Sequence, residues 1–273
     1  MSEDLPLDYP VKVGSMLYTL VDPHVGHELA YNRWYERDHF YGGCMIGPWL
    51  FAGSRWVATR ELKELRIPKD STNTVTEPYD RGTYVAIYWV HEGHHDEHFG
   101  WASEQVKELY SAGRGFAERT HAHTVLYGYA ATHYRDDDPV PLELALDHGF
   151  AGHVSVAMDR AEGVSADQLG DFLSDVAMNE LMMGSGIAQG STWIPIERDE
   201  MTKNAPMDLG SETGSAETRT MQLFFTDNDV RVDYDRFGSY ASQINESGLA
   251  TVVLVAPFHK TVVGTDRYVD EIW

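Results

Sequence analysis

The sequence repeats itself at a spacing of 137 residues, and this duplication limits the possible folds more than any other feature. Several special positions coincide when the chain is shifted by that distance: Asp22 with Asp159, Gly47 with Gly184, Gly53-Ser54-x-Trp56 with Gly190-Ser191-x-Trp193, and Thr83 with Thr220. Duplication explains such matches in one register better than chance does. We therefore expect two copies of one folding unit, spanning residues 1–147 and 148–273.

Both copies show the same order of secondary-structure signals. In the first, β-forming runs at 15–21, 50–59, 83–91 and 121–134 accompany helical patterns at 27–40 and 97–112. In the second, β-forming runs at 153–158, 187–197, 217–226 and 250–258 accompany helical patterns at 166–182 and 234–246. The order β-α-β-β-α-β is that of the ferredoxin-like fold. We predict an α+β protein whose two tandem ferredoxin-like (βαββαβ) repeats pair their sheets into one intramolecular α/β barrel.

Two long inserts lie at equivalent places between the second and third strands of the copies. They cover residues 62–81 and 200–216 and are rich in Pro, Thr, Ser, Asn and Gly. This composition predicts loops, which could also serve as lids.

Composition narrows the classes of partner. The 273 residues are 42% apolar, enough for a full core, and 21 Lys and Arg against 43 Asp and Glu give a net charge of −22. Such a chain is repelled by nucleic-acid phosphates and by anionic membranes, so a small-molecule substrate is the expected partner. A single cysteine, Cys44, and an acidic amino terminus without an apolar run predict a cytoplasmic location. A homo-oligomer formed through the outer helices stays open.

One segment resembles a known family. The run Tyr31-Asn32-Arg33-Trp34-Tyr35-Glu36-Arg37-Asp38-His39-Phe40, followed by Gly47-Pro48 and Phe51-Ala52-Gly53-Ser54-Arg55-Trp56, is similar to the pattern of EthD-like proteins. That family belongs to the dimeric α+β barrel superfamily, in which two ferredoxin-like subunits pair their sheets. The resemblance covers residues 14–60 and implies the fold; its members include cyclases, dehydratases, monooxygenases, isomerases and, more distantly, haem enzymes.

Polar and aromatic side chains share one face of the first predicted helix. Residues three and four apart on a helix are neighbours, so Tyr31, Tyr35 and His39 form one row, with Asn32 and Trp34 beside it. Two phenols and an imidazole can donate, accept or relay a proton. The alternative is that these rings simply pack against the sheet.

The second copy helps to separate these two interpretations. At the 137-residue spacing the positions of Tyr31, Tyr35 and His39 hold Gln168, Phe172 and Val176. Simple packing would keep the two copies alike. The loss of polarity in the second copy therefore favours a working site in the first copy and a degenerate one in the second.

Aromatic residues also alternate along the predicted strands of the first copy. We expect Trp56 and Tyr88 to line a substrate pocket together with Trp34 and Asn32, although strand aromatics could equally fill the interface between the two sheets.

Histidine is concentrated before residue 150, where eleven of the thirteen lie. If the first and third strands are parallel neighbours, their ends place His24 near His91 and His95, and the fourth strand begins beside them with His121. Two or three of these four, with Asp22 or Glu92, could bind zinc, manganese or iron. Unliganded histidines are the alternative.

The letters His91-Glu92-Gly93-His94-His95 match the H-E-x-x-H motif of zinc peptidases. That motif needs one continuous helix, whereas here the first histidine ends a predicted strand and a glycine follows. We therefore do not predict a metallopeptidase.

These observations predict a cofactor-independent enzyme that moves protons on an aromatic or carbonyl-bearing molecule, as a lyase, dehydratase, cyclase or isomerase does. His39 is the expected general acid or base, Tyr35 and Tyr31 orient or protonate the substrate oxygen, and Asn32 hydrogen-bonds it. No G-x-S-x-G, Walker or G-x-G-x-x-G motif is present. The alternatives are an oxidoreductase with a transition metal or haem at the histidine-rich edge, and a ligand-binding protein without catalysis.

Overall fold

Eight antiparallel strands form a closed barrel in the computed structural model, which describes residues 10–196 and 218–273. The strands are β1 (Val13–Pro23), β2 (Leu50–Val57), β3 (Tyr84–His91), β4 (Arg119–Tyr134), β5 (Gly152–Arg160), β6 (Ile187–Pro195), β7 (Arg219–Thr226) and β8 (Ala250–Lys260). Around the barrel their order is β1-β3-β2-β8-β5-β7-β6-β4. Closure pairs both edges of every one of these strands, which removes exposed sheet edges.

The helices lie outside the barrel. They are α1 (Glu28–Trp34), which continues directly as a π-helix (Tyr35–Met45), then α2 (Arg60–Leu65), α3 (His95–Ser111), α4 (Ala166–Phe172), a second π-helix (Leu173–Ala177), α5 (Met178–Met182) and α6 (Tyr234–Ser247). Short 3-10 turns occupy Leu142–Leu144 and Val269–Glu271. None of the helices in the described ranges is long and apolar enough to cross a membrane.

Each half of the chain contributes four neighbouring strands. Their order is β4-β1-β3-β2 in the first half and β8-β5-β7-β6 in the second, the ferredoxin-like arrangement in both. The halves join edge to edge: β4 pairs with β6 from Tyr127↔Pro195 to Tyr134↔Gln189, whereas β2 pairs with β8 only at Trp56↔Lys260 and Val57↔His259. The predicted fold class is confirmed. The boundary at residues 147 and 148 falls in the connection between β4 and β5 and stays a prediction.

The repeated glycine allows each first helix to approach its sheet closely. A Cβ atom added to Gly53 would lie 2.6 Å from the sulfur of Met45, and one added to Gly190 would lie 2.6 Å from the methyl carbon of Met178. These distances are far below ordinary van der Waals contact. The helix above each glycine contains a π-helical stretch at the same point, so the two halves share this irregular geometry as well.

One of the matches in the repeat is out of register. In the first half Val21 pairs with Tyr84, and in the second half its equivalent, Met158, pairs with Thr220. Thr220 therefore corresponds structurally to Tyr84, and its match with Thr83 is wrong. The spacing between the copies falls by one residue in the insert between the second and third strands.

The repeated aspartates are structural. Asp22 accepts hydrogen bonds from the backbone N–H and the hydroxyl of Thr83, at 2.8 and 2.6 Å. Asp159 accepts two from the guanidinium of Arg219, at 2.9 and 3.0 Å. Each aspartate thus ties the end of its first strand to the start of the third strand.

Aromatic side chains fill the barrel. Trp56 and Trp193, the repeated tryptophans, are fully buried there. Between them the Tyr18 hydroxyl donates to Ser155 at 2.9 Å, and these two residues are equivalents, 137 apart. The ring of His153 contacts the Ser155 hydroxyl at 2.8 Å. The interior is therefore a packed core with a small polar network where the two halves meet.

The first insert is not a free loop. It begins with α2, and the Arg66 side chain that follows donates to the carbonyls of Tyr79 and Gly82 while its guanidinium lies over the Phe258 ring. Thr76 is fully buried. This segment packs against one end of the barrel. The second insert, residues 200–216, lies outside the described residues.

Buried His153 predicts how stability depends on acidity. Burial lowers its pKa from 6.5 to about 3. Below pH 6.5 this histidine is therefore protonated in the unfolded chain but stays neutral in the folded chain. The stability contributed by neutral His153 is present above pH 6.5 and is lost as pH falls toward 3. In His153→Gln, which keeps a donor for Ser155, the free energy of unfolding should fall less steeply as the pH is lowered. The slope should differ from that of wild type by up to about 1.4 kcal/mol per pH unit.

Chemical denaturation of both proteins at pH 7.5, 6.5, 5.5 and 4.5 measures this difference. Since all other titrating groups are shared, equal slopes for wild type and variant would contradict the prediction.

Candidate functional site

The candidate site lies on the outer face of the first half, between the first helix and the sheet. α1 and its π-helical continuation bring Tyr31, Trp34 and Tyr35 down onto the outward-pointing side chains of β3, Tyr84 and Tyr88. Tyr31 lies 5.4 Å from Tyr35 and 5.5 Å from Tyr84 between ring centroids. We call these five buried rings the outer cluster. It contains all three predicted aromatic residues of the helix and Tyr88, but its contacts alone do not distinguish catalysis from packing.

Arg55 lies at the centre of the outer cluster. Its guanidinium carbon is 4.3 Å from the centroid of Tyr35, 5.1 Å from that of Tyr84 and 5.8 Å from that of Tyr31. Only 4% of the side chain is exposed. A carboxylate lies beside it, with 3.7 Å between Arg55 Nη1 and Glu36 Oε1. A full positive charge is thus buried among phenol rings.

Several buried polar atoms around Arg55 have no hydrogen-bond partner among the described residues. They are Nε, Nη1 and Nη2 of Arg55, Oε1 of Glu36, Oδ1 of Asn32 and the hydroxyl of Tyr84. Each such group typically costs about 1–3 kcal/mol, and a charged group costs more. Buried polar groups in folded proteins are usually paired, so this concentration marks a functional region.

His39 stands at the edge of the outer cluster. Its ring stacks on Trp34 with centroids 5.2 Å apart and meets the edge of Tyr35 at 4.9 Å. Burial, reinforced by the charges of Arg119, His121 and Arg55, lowers the pKa of His39 to about 3. The imidazole is therefore neutral at physiological pH and can accept a proton.

The phenols of the outer cluster keep their protons. Burial raises the pKa of Tyr31, Tyr35 and Tyr88 well above 10. The hydroxyls of Tyr35 and Tyr88 are hydrogen-bonded to each other at 2.8 Å. Burial also raises the pKa of Cys44, beside Tyr88, to about 12, so this thiol is not an activated nucleophile. The cluster thus offers hydroxyl donors beside a neutral imidazole.

Trp56 does not belong to this site. Successive residues of a strand point to opposite faces, so Arg55 faces the outer cluster and Trp56 faces the barrel interior. There it contacts His153 and Phe225. The predicted pairing of Trp56 with Tyr88 in one pocket is wrong, because the sheet separates them.

The C-terminal strap, residues 261–273, crosses from the second half over the first helix. The amide of Asn32 donates to the carbonyl of Thr265 at 3.3 Å, and the N–H of Gly264 donates to Glu36 at 2.9 Å. Ile272 is fully buried against the same face. Both predicted and unpredicted site residues are thus held by a segment from the other end of the chain.

The predicted histidine edge is wrong. β1 and β3 are antiparallel, with Val13 opposite His91, so the end of β3 meets the start of β1. His24 and His121 therefore lie at one end of the barrel, whereas His91 and His95 lie at the other. The prediction assumed that the first and third strands are parallel. In this order they are antiparallel neighbours, and the second strand runs parallel to the first without pairing with it.

Each of these histidines has its own neighbours. His24 contacts Glu118 at 3.0 Å, His121 contacts Thr124 at 2.8 Å, and His95 contacts Ser15 at 2.8 Å. No group of three potential metal-ligating side chains occurs within residues 10–196 and 218–273. His91 ends β3 and His95 begins α3, so the H-E-x-x-H letters do not lie on one helix.

The second half lacks this chemistry on its outer face. Thr192 occupies the position of Arg55, and Phe224 that of Tyr88 by the strand pairing. Gln168, at the position of Tyr31, is used in a capping box with Ser165 at the start of α4. Phe172 and Val176 replace Tyr35 and His39.

Arg55 was missed in the sequence prediction, although a signal for it existed. An arginine in the middle of an apolar strand, replaced by Thr192 in the other copy, has the same asymmetry that identified Tyr35 and His39. Its burial and its missing partners could not be read from the sequence, because they depend on the helix and on the strap.

No protein-family model matches the sequence, and no curated protein matches it. Among solved structures, a proposed chlorite dismutase has a TM-score of 0.53 and 10% identity, with 96% of this chain and 100% of that chain covered. An anthrone oxidase-like protein has a TM-score of 0.50 and 10% identity, with 92% of each chain covered. At this identity the likeness shows the fold, an α+β barrel of ferredoxin-like units.

The two equivalent glycines provide a matched pair of variants. Gly53→Ala and Gly190→Ala should each destabilise the protein by about 1–3 kcal/mol, because each added methyl group collides with a packed helix side chain. Only Gly53→Ala should disturb the outer cluster, which lies above it. Denaturation curves measure the first effect, and near-ultraviolet circular dichroism of the tyrosine and tryptophan rings measures the second. A Gly190→Ala spectrum changed as much as that of Gly53→Ala would contradict this assignment.

Proposed function

We propose that this protein is a small-molecule enzyme that transfers protons to and from an aromatic or carbonyl-bearing substrate at the outer cluster of its first half. The reaction is of the lyase, dehydratase, cyclase or isomerase type. The observation that carries the proposal is that the neutral imidazole of His39 packs against Tyr35, a phenol that keeps its proton, with 4.9 Å between the ring centroids. A base and an acid therefore stand side by side.

The proposed division of labour follows from these protonation states. His39 accepts the proton from a carbon next to the substrate carbonyl. The Tyr35 hydroxyl donates a hydrogen bond to the carbonyl oxygen, on which negative charge develops, and the Tyr88 hydroxyl supports Tyr35 from behind. His39 then returns the proton to another atom, either a carbon in an isomerisation or the departing oxygen in a dehydration.

A bound substrate would also improve His39 as a base. Its pKa of about 3 is held down by burial and by Arg119, His121 and Arg55. Negative charge developing on a substrate oxygen close to these cations offsets their repulsion of a protonated imidazole, so the pKa of His39 rises toward neutrality. The most effective base has a pKa near the working pH.

Asn32 fits the proposed binding role. Its amide nitrogen donates to the carbonyl of Thr265, which leaves the buried Oδ1 for a donor on the substrate. Tyr31 packs against Tyr35 and Tyr84 and helps to hold these two rings in place.

We also propose that the chain is an EthD-like, tandem-repeat member of the dimeric α+β barrel superfamily. The first helix and β2 carry the residues of that pattern, and they build the outer cluster. One similar structure is described as anthrone oxidase-like, and an anthrone is an aromatic ketone. Because that likeness shows only the fold, the substrate class proposed here rests on the residues.

The proposed steps use side chains alone. A metal or haem held jointly by His24, His91, His95 and His121 does not fit the chain, because these residues lie at opposite ends of the barrel. Independence from any cofactor stays a prediction, and elemental analysis and a visible spectrum of the purified protein test it.

Proton exchange in deuterated water tests the function without knowledge of the natural substrate. Aromatic ketones and 1,3-dicarbonyl compounds are incubated with the protein, and replacement of hydrogen by deuterium next to the carbonyl is followed by mass spectrometry. For an exchanged compound, His39→Phe should lower the rate by about 10²- to 10⁴-fold, the usual contribution of an acid–base residue. Tyr35→Phe should lower it by about 10²-fold.

Val176→Ala and Phe172→Leu change the equivalent positions of the second half and should leave the rate unchanged. A folded His39→Phe protein with full exchange would refute the role of His39. A compound that binds and is recovered unexchanged would favour the ligand-binding alternative.

A further inference from the structure

We infer that Arg55 is the anion-binding centre of a site for one small planar carboxylate or enolate that also carries a hydroxyl group. The inference rests on the proposed function, because it assigns the charge and polar groups of the ligand at the same face.

Arg55 differs in its hydrogen bonding from two other buried arginines, Arg66 and Arg219. Arg219 makes two hydrogen bonds to Asp159, at 2.9 and 3.0 Å, and a third to Thr74 at 2.7 Å. Arg66 donates to backbone carbonyls on the segment at the end of the barrel. Arg55 is buried as deeply, yet none of its three side-chain nitrogens has a hydrogen-bond partner among the described residues. Arg219 and Arg66 are paired within the protein, so the protein can pair such groups, and Arg55 is the exception.

The guanidinium of Arg55 is held between aromatic rings. Its carbon lies 4.3 Å from the Tyr35 centroid and 5.1 Å from the Tyr84 centroid, so aromatic faces surround the charge and hold it in place. The N–H groups lie in the plane of the guanidinium and match the two oxygens of a carboxylate or the oxygen of an enolate. A prearranged planar cation of this kind suits a planar anion.

A cleft leads to Arg55 from the solvent. It has a volume of about 230 Å³ and runs between the π-helix, β2 and the C-terminal strap. Glu36, Phe40, Arg55 and Lys260 are among its lining residues, with Asp147 at its side. The volume is slightly below the usual range for ligand sites and suits a single substituted ring.

The remaining unpartnered atoms define the second group on the ligand. Glu36 Oε1 lies 3.7 Å from Arg55 Nη1 and accepts no hydrogen bond from the described residues, while Oε2 accepts one from the N–H of Gly264. Asn32 and Glu36 both line an adjoining cleft of about 370 Å³. Acceptors beside a cation call for a ligand with both an anionic oxygen and a donor, which a hydroxy-substituted carboxylate or an enolate with a neighbouring hydroxyl provides.

The net charge of the chain is −22, but the cleft is lined by two cations, Arg55 and Lys260, as well as by two carboxylates, Glu36 and Asp147, so the acidity of the chain is balanced there. Lys260 is fixed by hydrogen bonds to the carbonyls of Leu146 and His148, at 2.8 and 2.7 Å, so its charge stays at the cleft. In the second half Thr192 replaces Arg55, so the equivalent position there lacks the cation.

Calorimetric titration with 3-hydroxybenzoate tests the inference, with its neutral amide, 3-hydroxybenzamide, and with unsubstituted benzoate as comparison ligands. Wild type should bind one 3-hydroxybenzoate per chain, about 10-fold or more tightly than either comparison ligand. Arg55→Met should weaken binding of the carboxylate by about 10- to 100-fold and leave binding of the amide within about twofold, because a charge-assisted pair is lost.

Arg231→Met is the matched control, since it removes the same charge from the surface of the second half, where Arg231 pairs with Asp229 and lines neither cleft. It should leave carboxylate binding within about twofold.

Three results would overturn the inference: no preference of wild type for the carboxylate over the amide, unchanged carboxylate binding by folded Arg55→Met, or equal loss in Arg231→Met. If Arg55→Met does not fold, Arg55→Lys tests the inference, since it keeps the charge and loses the planar pair of donors. Carboxylate binding at least fivefold weaker than in wild type supports the inference, and unchanged binding overturns it. Failure here leaves the exchange experiment on His39 and Tyr35 unaffected, so the two proposals fail separately.

Discussion

Edge-to-edge pairing of the two halves is the constraint on which the rest of the structure depends. β4 joins β6 and β2 joins β8, so two four-stranded sheets become one closed barrel. Closure turns one face of every strand inward, where Trp56, Trp193 and other large rings fill the interior. A packed interior is poorly suited to a substrate. The outer face, beneath the helices, is therefore where we propose the binding site.

The two halves use the same backbone for different purposes. Gly53 and Gly190 let a helix with a π-helical stretch approach each sheet, so both halves have a closely covered outer face. In the second half this face is filled by residues such as Phe172 and Phe224 and is part of the core. In the first it holds Arg55, a buried cation with no hydrogen bonds to the described residues. Such an arrangement sacrifices stability, as functional sites commonly do.

The first half does not complete its site alone. The C-terminal strap, which follows the last strand of the second half, binds Asn32 through Thr265 and Glu36 through Gly264. It also forms part of both clefts beside Arg55. The second half thus does more than close the barrel, because the segment that follows it forms a wall beside the polar face of the first half.

The sequence by itself determined the architecture and the helical part of the site. Its repeat and its β-α-β-β-α-β order specified the barrel, and the 3.6-residue period placed Tyr31, Tyr35 and His39 on one face, because these signals are local and periodic. Strand direction was misjudged, which wrongly joined His24 with His91, and Trp56 was placed on the wrong face of the sheet. Only the tertiary structure decided that Arg55 is central and that its side chain makes no hydrogen bond to the described residues. Burial and hydrogen bonding there depend on the first helix and the C-terminal strap, segments more than 200 residues apart.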